Sequence, residues 1–119
     1  MKMKFFELAK KLSQKSDYRH KLGAVVTKKN RVLGIGWNKP FKTNPNSNNL
    51  FRTTHAELDA ILSSNRDDLK GSTIYVYRQF SNGNPAPAKP CIYCQELIRL
   101  AGIKKVYYSA ENNYMEYTV

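Results

Sequence analysis

Residues 22–38, "LGAVVTKKNRVLGIGWN", constrain the fold more than any other stretch. Leu22 to Thr27 and Arg31 to Trp37 are rich in β-branched residues, and Lys28-Lys29-Asn30 between them suits a turn. The segment therefore predicts a β-hairpin. Its flanks carry a different period. Within residues 3–15, Phe5, Phe6, Leu8, Ala9 and Leu12 fall on one helical face. Residues 38–53 hold two prolines and five asparagines and read as a long loop. A helix follows, with Thr53 or Thr54 expected to cap it and Glu57 placed three residues after Thr54 as in a capping box. Its apolar positions are Ala56, Leu58, Ala60 and Ile61, and it should stop near Ser63-Ser64-Asn65.

"STIYVY" (72–77) predicts a strand, "RQFSNGNPAPAK" (78–89) a second loop, and "CIYCQELIRLAG" a helix opening near Cys91 and stopped by Gly102. "IKKVYYS" predicts a strand, and "AENN" a turn into a last, antiparallel strand, "YMEYTV". Helices alternating with strands in this order make the chain α/β, with one sheet and helices on its faces. Neither a repeat nor a linker divides its 119 residues, so one domain over 1–119 is expected.

Composition narrows the setting. No apolar run approaches the eighteen or more residues of a membrane helix. The basic start "MKMKFFELAKKLSQK" lacks the apolar core and cleavage site of a signal peptide, so a cytoplasmic protein is expected. Charge is the unusual total: 20 Lys+Arg against 9 Asp+Glu, formally +11. Such an excess points to phosphate-bearing partners, either a nucleotide or a nucleic acid.

Cys91 and Cys94 are the only cysteines, three apart at the first turn of a predicted helix, where both side chains share a face. A helix N-terminus favours negative charge and so favours thiolates. Two thiolates can hold a metal but cannot complete a tetrahedral shell. The pair could also be redox-active or simply buried. The chain has two histidines, His20 and His55. His20, between Arg19 and Lys21, reads as exposed; His55 opens the other predicted helix in "HAELDA". A closed four-ligand site is hard to assemble from this inventory. His55, Cys91 and Cys94 with one open position are the pattern of a catalytic zinc. Glu57, two residues from His55, is near enough to move protons at that position.

"HAE" and "PCIYC", 36 residues apart from His55 to Cys91, together resemble the zinc-dependent cytidine/deoxycytidylate deaminase superfamily, whose signature is H-x-E with P-C-x-x-C. "GAVV", "GWN" and "AGIKKVYY" extend the resemblance over most of the chain. It implies a three-layer α-β-α fold around a mixed sheet of about five strands. It implies Zn2+ held by His55, Cys91 and Cys94, and Glu57 as proton shuttle. It also implies a sugar contact from Asn38, contacts to the base edge around Ala56, Lys89 and Pro90, and a homo-oligomer. Arg19, His20, Lys21, Lys42 and Arg52 are candidate contacts to a phosphate or to nucleic acid.

"HAELDAIL" resembles the deoxycytidylate form of the motif, which favours dCMP as a small-molecule substrate. "VLGIGWNKP" and the charge keep open a second reading, deamination of cytosine or adenine within single-stranded DNA or tRNA. A third reading is a non-catalytic zinc-containing nucleic-acid-binding module, against which an intact Glu57 argues.

Overall fold

The computed structural model describes residues 1–40 and 53–119. Chain order is α1 (Met3–Ser13), β1 (Lys21–Lys28), β2 (Arg31–Trp37), β3 (Lys39–Pro40), β4 (Thr53–Thr54), α2 (Ala56–Ser63), α3 (Arg66–Leu69), β5 (Thr73–Gln79), β6 (Pro85–Ala86), α4 (Ile92–Ala101), β7 (Lys105–Ala110) and β8 (Asn113–Thr118).

The main sheet has six strands, ordered β2-β1-β5-β7-β8, with the short β6 beside the end of β5. Only β5 and β7 run parallel, joined by a crossover through α4; the other pairs are antiparallel. The expected mixed sheet is present, with β6 as an extra short strand.

Helices cover both faces, and the period of two along the strands explains why. On β5, Ile74 and Val76 point to one side, Tyr75 and Tyr77 to the other. The aliphatic side packs with Ala24 and Val26 of β1, Ala56 and Ala60 of α2, and Ile98 of α4. The aromatic side packs under α1 with Phe5, Phe6, Ala9 and Leu12. There Phe6 meets Tyr75 edge-on at 5.1 Å, and Tyr75 stacks on Tyr107 at 4.9 Å, both favourable ring arrangements.

Gly34 and Gly36 let α2 lie against β2. A Cβ on Gly36 would sit 2.5 Å from both the Ala56 oxygen and the Ala60 nitrogen. The absence of two side chains thus sets the height of α2, and with it the position of His55 and Glu57.

The hairpin turn is tighter than expected: β1 runs through Lys28, and Lys29 and Asn30 alone turn the chain, at φ 50 and 69. Both lie in the left-handed region that a two-residue type I′ turn requires. Gly102, at φ 86, ends α4 as predicted. The last strand pairs antiparallel to β7, with Ala110 opposite Asn113.

Two expectations are corrected, and one element is added. The capping box does not form: His55 is the N-cap residue of α2, no side chain caps it, and Thr53 and Thr54 belong to β4. The second loop is partly strand, because β5 continues to Gln79 and β6 folds back on it. Residues 66–69 form the short helix α3, which Asn65 caps by accepting the Asp67 N–H.

Candidate active site

Two helix N-termini converge at one end of the sheet. His55 is the N-cap residue of α2, Cys91 that of α4, and Cys94 lies one turn into α4. Their donor atoms all lie within 4.8 Å of one another. His55 Nδ1 is 3.3 Å from Cys94 Sγ and 3.7 Å from Cys91 Sγ. Tetrahedral zinc, with bonds of about 2.0–2.1 Å to nitrogen and about 2.3 Å to sulfur, separates such atoms by roughly 3.6 Å. The spacing therefore fits zinc before any ion is considered. Among the described residues no fourth His, Cys, Asp or Glu joins the cluster, so one coordination position stays open.

Glu57 is the second residue of α2 and is 4 % exposed. Burial pushes its carboxyl up from the ordinary carboxylate value. Its own backbone N–H, the charge of His55 and the Cys94 thiol pull the other way. Burial also pushes the Cys94 thiol up, followed by the charges of Glu57 and Cys91. A bound cation reverses that balance and draws the thiolate form.

These groups open into a cleft of about 260 Å³. Glu57 and Ala56 form its buried end, beside His55 and Cys91. Leu22, Asn38, Pro87 and Ala88 make the walls. Exposed His20 and Lys89 and half-buried Arg78 stand at the open side.

The walls are tied by hydrogen bonds. Asn38 Oδ1 accepts the Leu22 N–H at 2.9 Å, and Nδ2 donates to the His20 carbonyl at 2.6 Å. Both bonds fix the start of β1 to the end of β2 and leave Asn38 one N–H for a ligand. Asp59 accepts the Trp37 N–H at 3.3 Å and pairs with Lys39 at 2.8 Å, which holds the end of β2 to α2. Fully buried Ser109 of β7 accepts the Arg78 N–H at 2.9 Å and donates to the Ala86 carbonyl at 2.7 Å. The Ala88 N–H bonds the Ser109 carbonyl at 2.9 Å. The arm between β5 and Cys91 is thus pinned to β7.

Of the residues singled out in the sequence, His55, Glu57 and Cys91 line the cleft with Asn38, Ala56, Lys89 and His20, and Cys94 lies behind. Pro90 does not line it; it is buried, and its carbonyl accepts the Gln95 side-chain N–H at 2.8 Å. Arg19 is exposed and outside the cleft lining, as is half-buried Lys21 at the head of β1. Lys42 and Arg52 lie outside the described residues.

Two residues escaped the sequence reading. Arg78 looked like the start of a loop, yet it lies in β5, one residue before its end, and lines the cleft; nothing local in the sequence marks it. Tyr117 of β8 keeps a buried hydroxyl without a hydrogen-bond partner. Burial, then the Glu57 charge, pushes that hydroxyl up, which locates it behind the same site.

Residues 1–110 match the family profile of the cytidine and deoxycytidylate deaminase zinc-binding region. The chain belongs to this deaminase family. Within it, the chain is similar to the deoxycytidylate deaminase of Mycobacterium phage D29, 34% identical over 129 residues, covering 91% of this chain and 93% of that protein. The apo crystal structure of dCMP deaminase from cyanophage S-TIM5 superposes with a TM-score of 0.70 at 30% identity, over 91% of this chain and 84% of that one. The same phage enzyme in complex with dCMP and dUMP gives 0.61 at 27% identity, over 91% and 82%. The cytidine deaminase of Burkholderia pseudomallei shares the fold, with a TM-score of 0.72 at 19% identity over 99% of this chain and 92% of that one. Zinc is the metal of this family, and the three-donor spacing fits it.

Proposed function

We propose that this chain hydrolyses deoxycytidine monophosphate to deoxyuridine monophosphate and ammonia, with His55, Cys91 and Cys94 as zinc ligands and Glu57 as the proton shuttle. One observation carries the reading: a buried carboxylate stands beside three zinc-spaced donors at the closed end of a nucleoside-sized cleft. The deoxycytidylate and dCMP deaminase relatives support the choice of base and carrier.

Zinc, when bound, supplies the Lewis acidity that lowers the pKa of water to roughly 7. The chain's own groups do the rest. Glu57 accepts a proton from the attacking water, delivers it to the pyrimidine ring nitrogen, and assists departure of the amine as ammonia. Its burial favours the protonated form needed for delivery. Asn38 offers its remaining N–H to the sugar, and the backbone at Ala56 and Lys89 meets the base edge. Ala88, held by Ser109, keeps the arm that carries Lys89 and Cys91 in place.

The test is ammonia release from the zinc-loaded protein with cytidine, deoxycytidine, CMP, dCMP, a single-stranded DNA oligonucleotide and a tRNA, with Glu57→Gln as control. Turnover of dCMP in preference to the others bears the reading out. Turnover only within a polymer replaces it with a nucleic-acid deaminase. Zinc binding without turnover on any substrate leaves a binding module.

A further inference from the structure

Arg78 is anchored yet unneutralised. Its Nη1 donates to the Pro87 carbonyl at 3.3 Å, and its Nη2 lies 2.6 Å from His20 Nδ1. Both partners are uncharged acceptors: an imidazole nitrogen that accepts from a guanidinium carries no proton. Three of the five N–H groups of the guanidinium stay unused, and Nε is buried with no partner. The ion pairs among the described residues join Arg31 to Asp68, Lys39 to Asp59, Arg99 to Glu96 and Lys105 to Glu116. None includes Arg78.

A half-buried guanidinium lacking a carboxylate is an anion site in waiting, because desolvation costs it hydration that only a counter-charge restores. Its position says which anion. Among the described residues Glu57 is the one carboxylate lining the cleft, and it is buried. Arg78 is half-buried and makes its two guanidinium bonds near the surface, so the cleft carries its carboxylate at a buried residue and its guanidinium nearer solvent. A ligand that enters with its base toward Glu57 brings a terminal anion toward Arg78. Lys89 lines the cleft too, but its side chain is exposed and its charge is screened by solvent. Arg78 is also fixed at its backbone by Ser109, on the arm that ends at Cys91.

We propose that Arg78 reads the phosphate of the substrate and makes the cleft select a nucleoside monophosphate over the free nucleoside. This rests on the deaminase reading above. The planar fork suits two phosphate oxygens at once, with His20 fixing its plane. Arg78 touches no reacting atom under this assignment, so it sets specificity and leaves the chemistry to the metal-site residues.

The measurement is the ratio of kcat/KM on dCMP to kcat/KM on deoxycytidine, for the wild type, Arg78→Gln and Arg78→Lys. The glutamine variant should lower that ratio roughly 30- to 100-fold, as for loss of charged hydrogen bonds, and mainly through the KM for dCMP. The lysine variant should fall between. Equal losses on both substrates would make Arg78 a purely structural residue, and an unchanged ratio would remove it from recognition altogether. A second readout needs neither turnover nor a variant: titration of the wild-type protein with inorganic phosphate, followed at the Arg78 Nε–H by NMR. A saturable shift supports the site, and no shift overturns it. Should the wild type turn over neither substrate, the deaminase reading fails while this titration still decides Arg78.

Discussion

At the scale of single residues, Glu57 carries the sharpest expectation. Replacing it with Gln keeps the volume and most of the polarity in a site that is 4 % exposed, but removes the carboxylate proposed above as the proton shuttle. General acid–base catalysis contributes about 10²–10⁴-fold. Glu57→Gln should therefore lose about that factor in kcat while its zinc content, measured by elemental analysis, stays at one per chain. Loss of zinc in that variant would instead make Glu57 a metal ligand. His55, Glu57, Cys91 and Cys94 were legible in the sequence because residue type and spacing alone limit what they can do. The capping box was misread because Glu57 satisfies that pattern too. The chain resolved the ambiguity by pulling the carboxylate inward, beside Cys94. Arg78 was not legible: nothing local says that a cation after a strand will face a cleft built from four other segments.

At the scale of elements, the fit of α2 on β2 decides whether the site forms. Gly36→Ala sets two effects against each other. Removing a glycine from the unfolded chain stabilises by about 0.4–1 kcal/mol. The new Cβ would lie 2.5 Å from backbone atoms of Ala56 and Ala60, which cannot rotate away. Overpacking of that kind costs about 1–3 kcal/mol, so it wins. The variant should unfold at lower denaturant and, because α2 must lift, bind zinc more weakly than the wild type. A denaturation curve with a metal-competition assay checks both, and wild-type zinc affinity would show that α2 had not moved. The G-x-G in "GIGW" read as strand in the sequence, and its packing role needed the partner helix.

The metal is expected to tie elements together as well. Its donors come from the N-termini of α2 and α4, which lie far apart along the chain. A ligand held at 1,000 times its dissociation constant stabilises by about 4 kcal/mol. For a domain of this size, removing zinc with a strong chelator should lower Tm on the order of 10 °C. Scanning calorimetry with and without chelator measures it, and an unchanged Tm would mean that the two helix ends are held by packing alone.

At the scale of the molecule, the layering was legible because element order and strand alternation leave few arrangements open: aliphatic residues on one side of β5 and tyrosines on the other require helices on both faces. The additions β6 and α3 were not, because a two-residue strand and a four-residue helix depend on what they pack against.

The net charge of +11 belongs to this scale too. Its largest concentrations lie away from the cleft, with Lys4, Lys10 and Lys11 on α1 and Lys28 and Lys29 at the hairpin turn. At 0.1 M salt the screening length is about 10 Å, so these lysines cannot hold a nucleotide in the cleft, but at low salt their summed field can draw a phosphate dianion toward it. Raising NaCl from about 20 to 300 mM, from one to several screening lengths, should therefore lower kcat/KM on dCMP several-fold and leave the uncharged deoxycytidine nearly unaffected. A flat response on both substrates would remove the general charge from nucleotide recognition. If single-stranded DNA then bound with a steep dependence of log K on log salt, near −0.7 for each phosphate neutralised, the excess lysines would belong to a polymer-binding surface and the small-nucleotide assignment would have to give way.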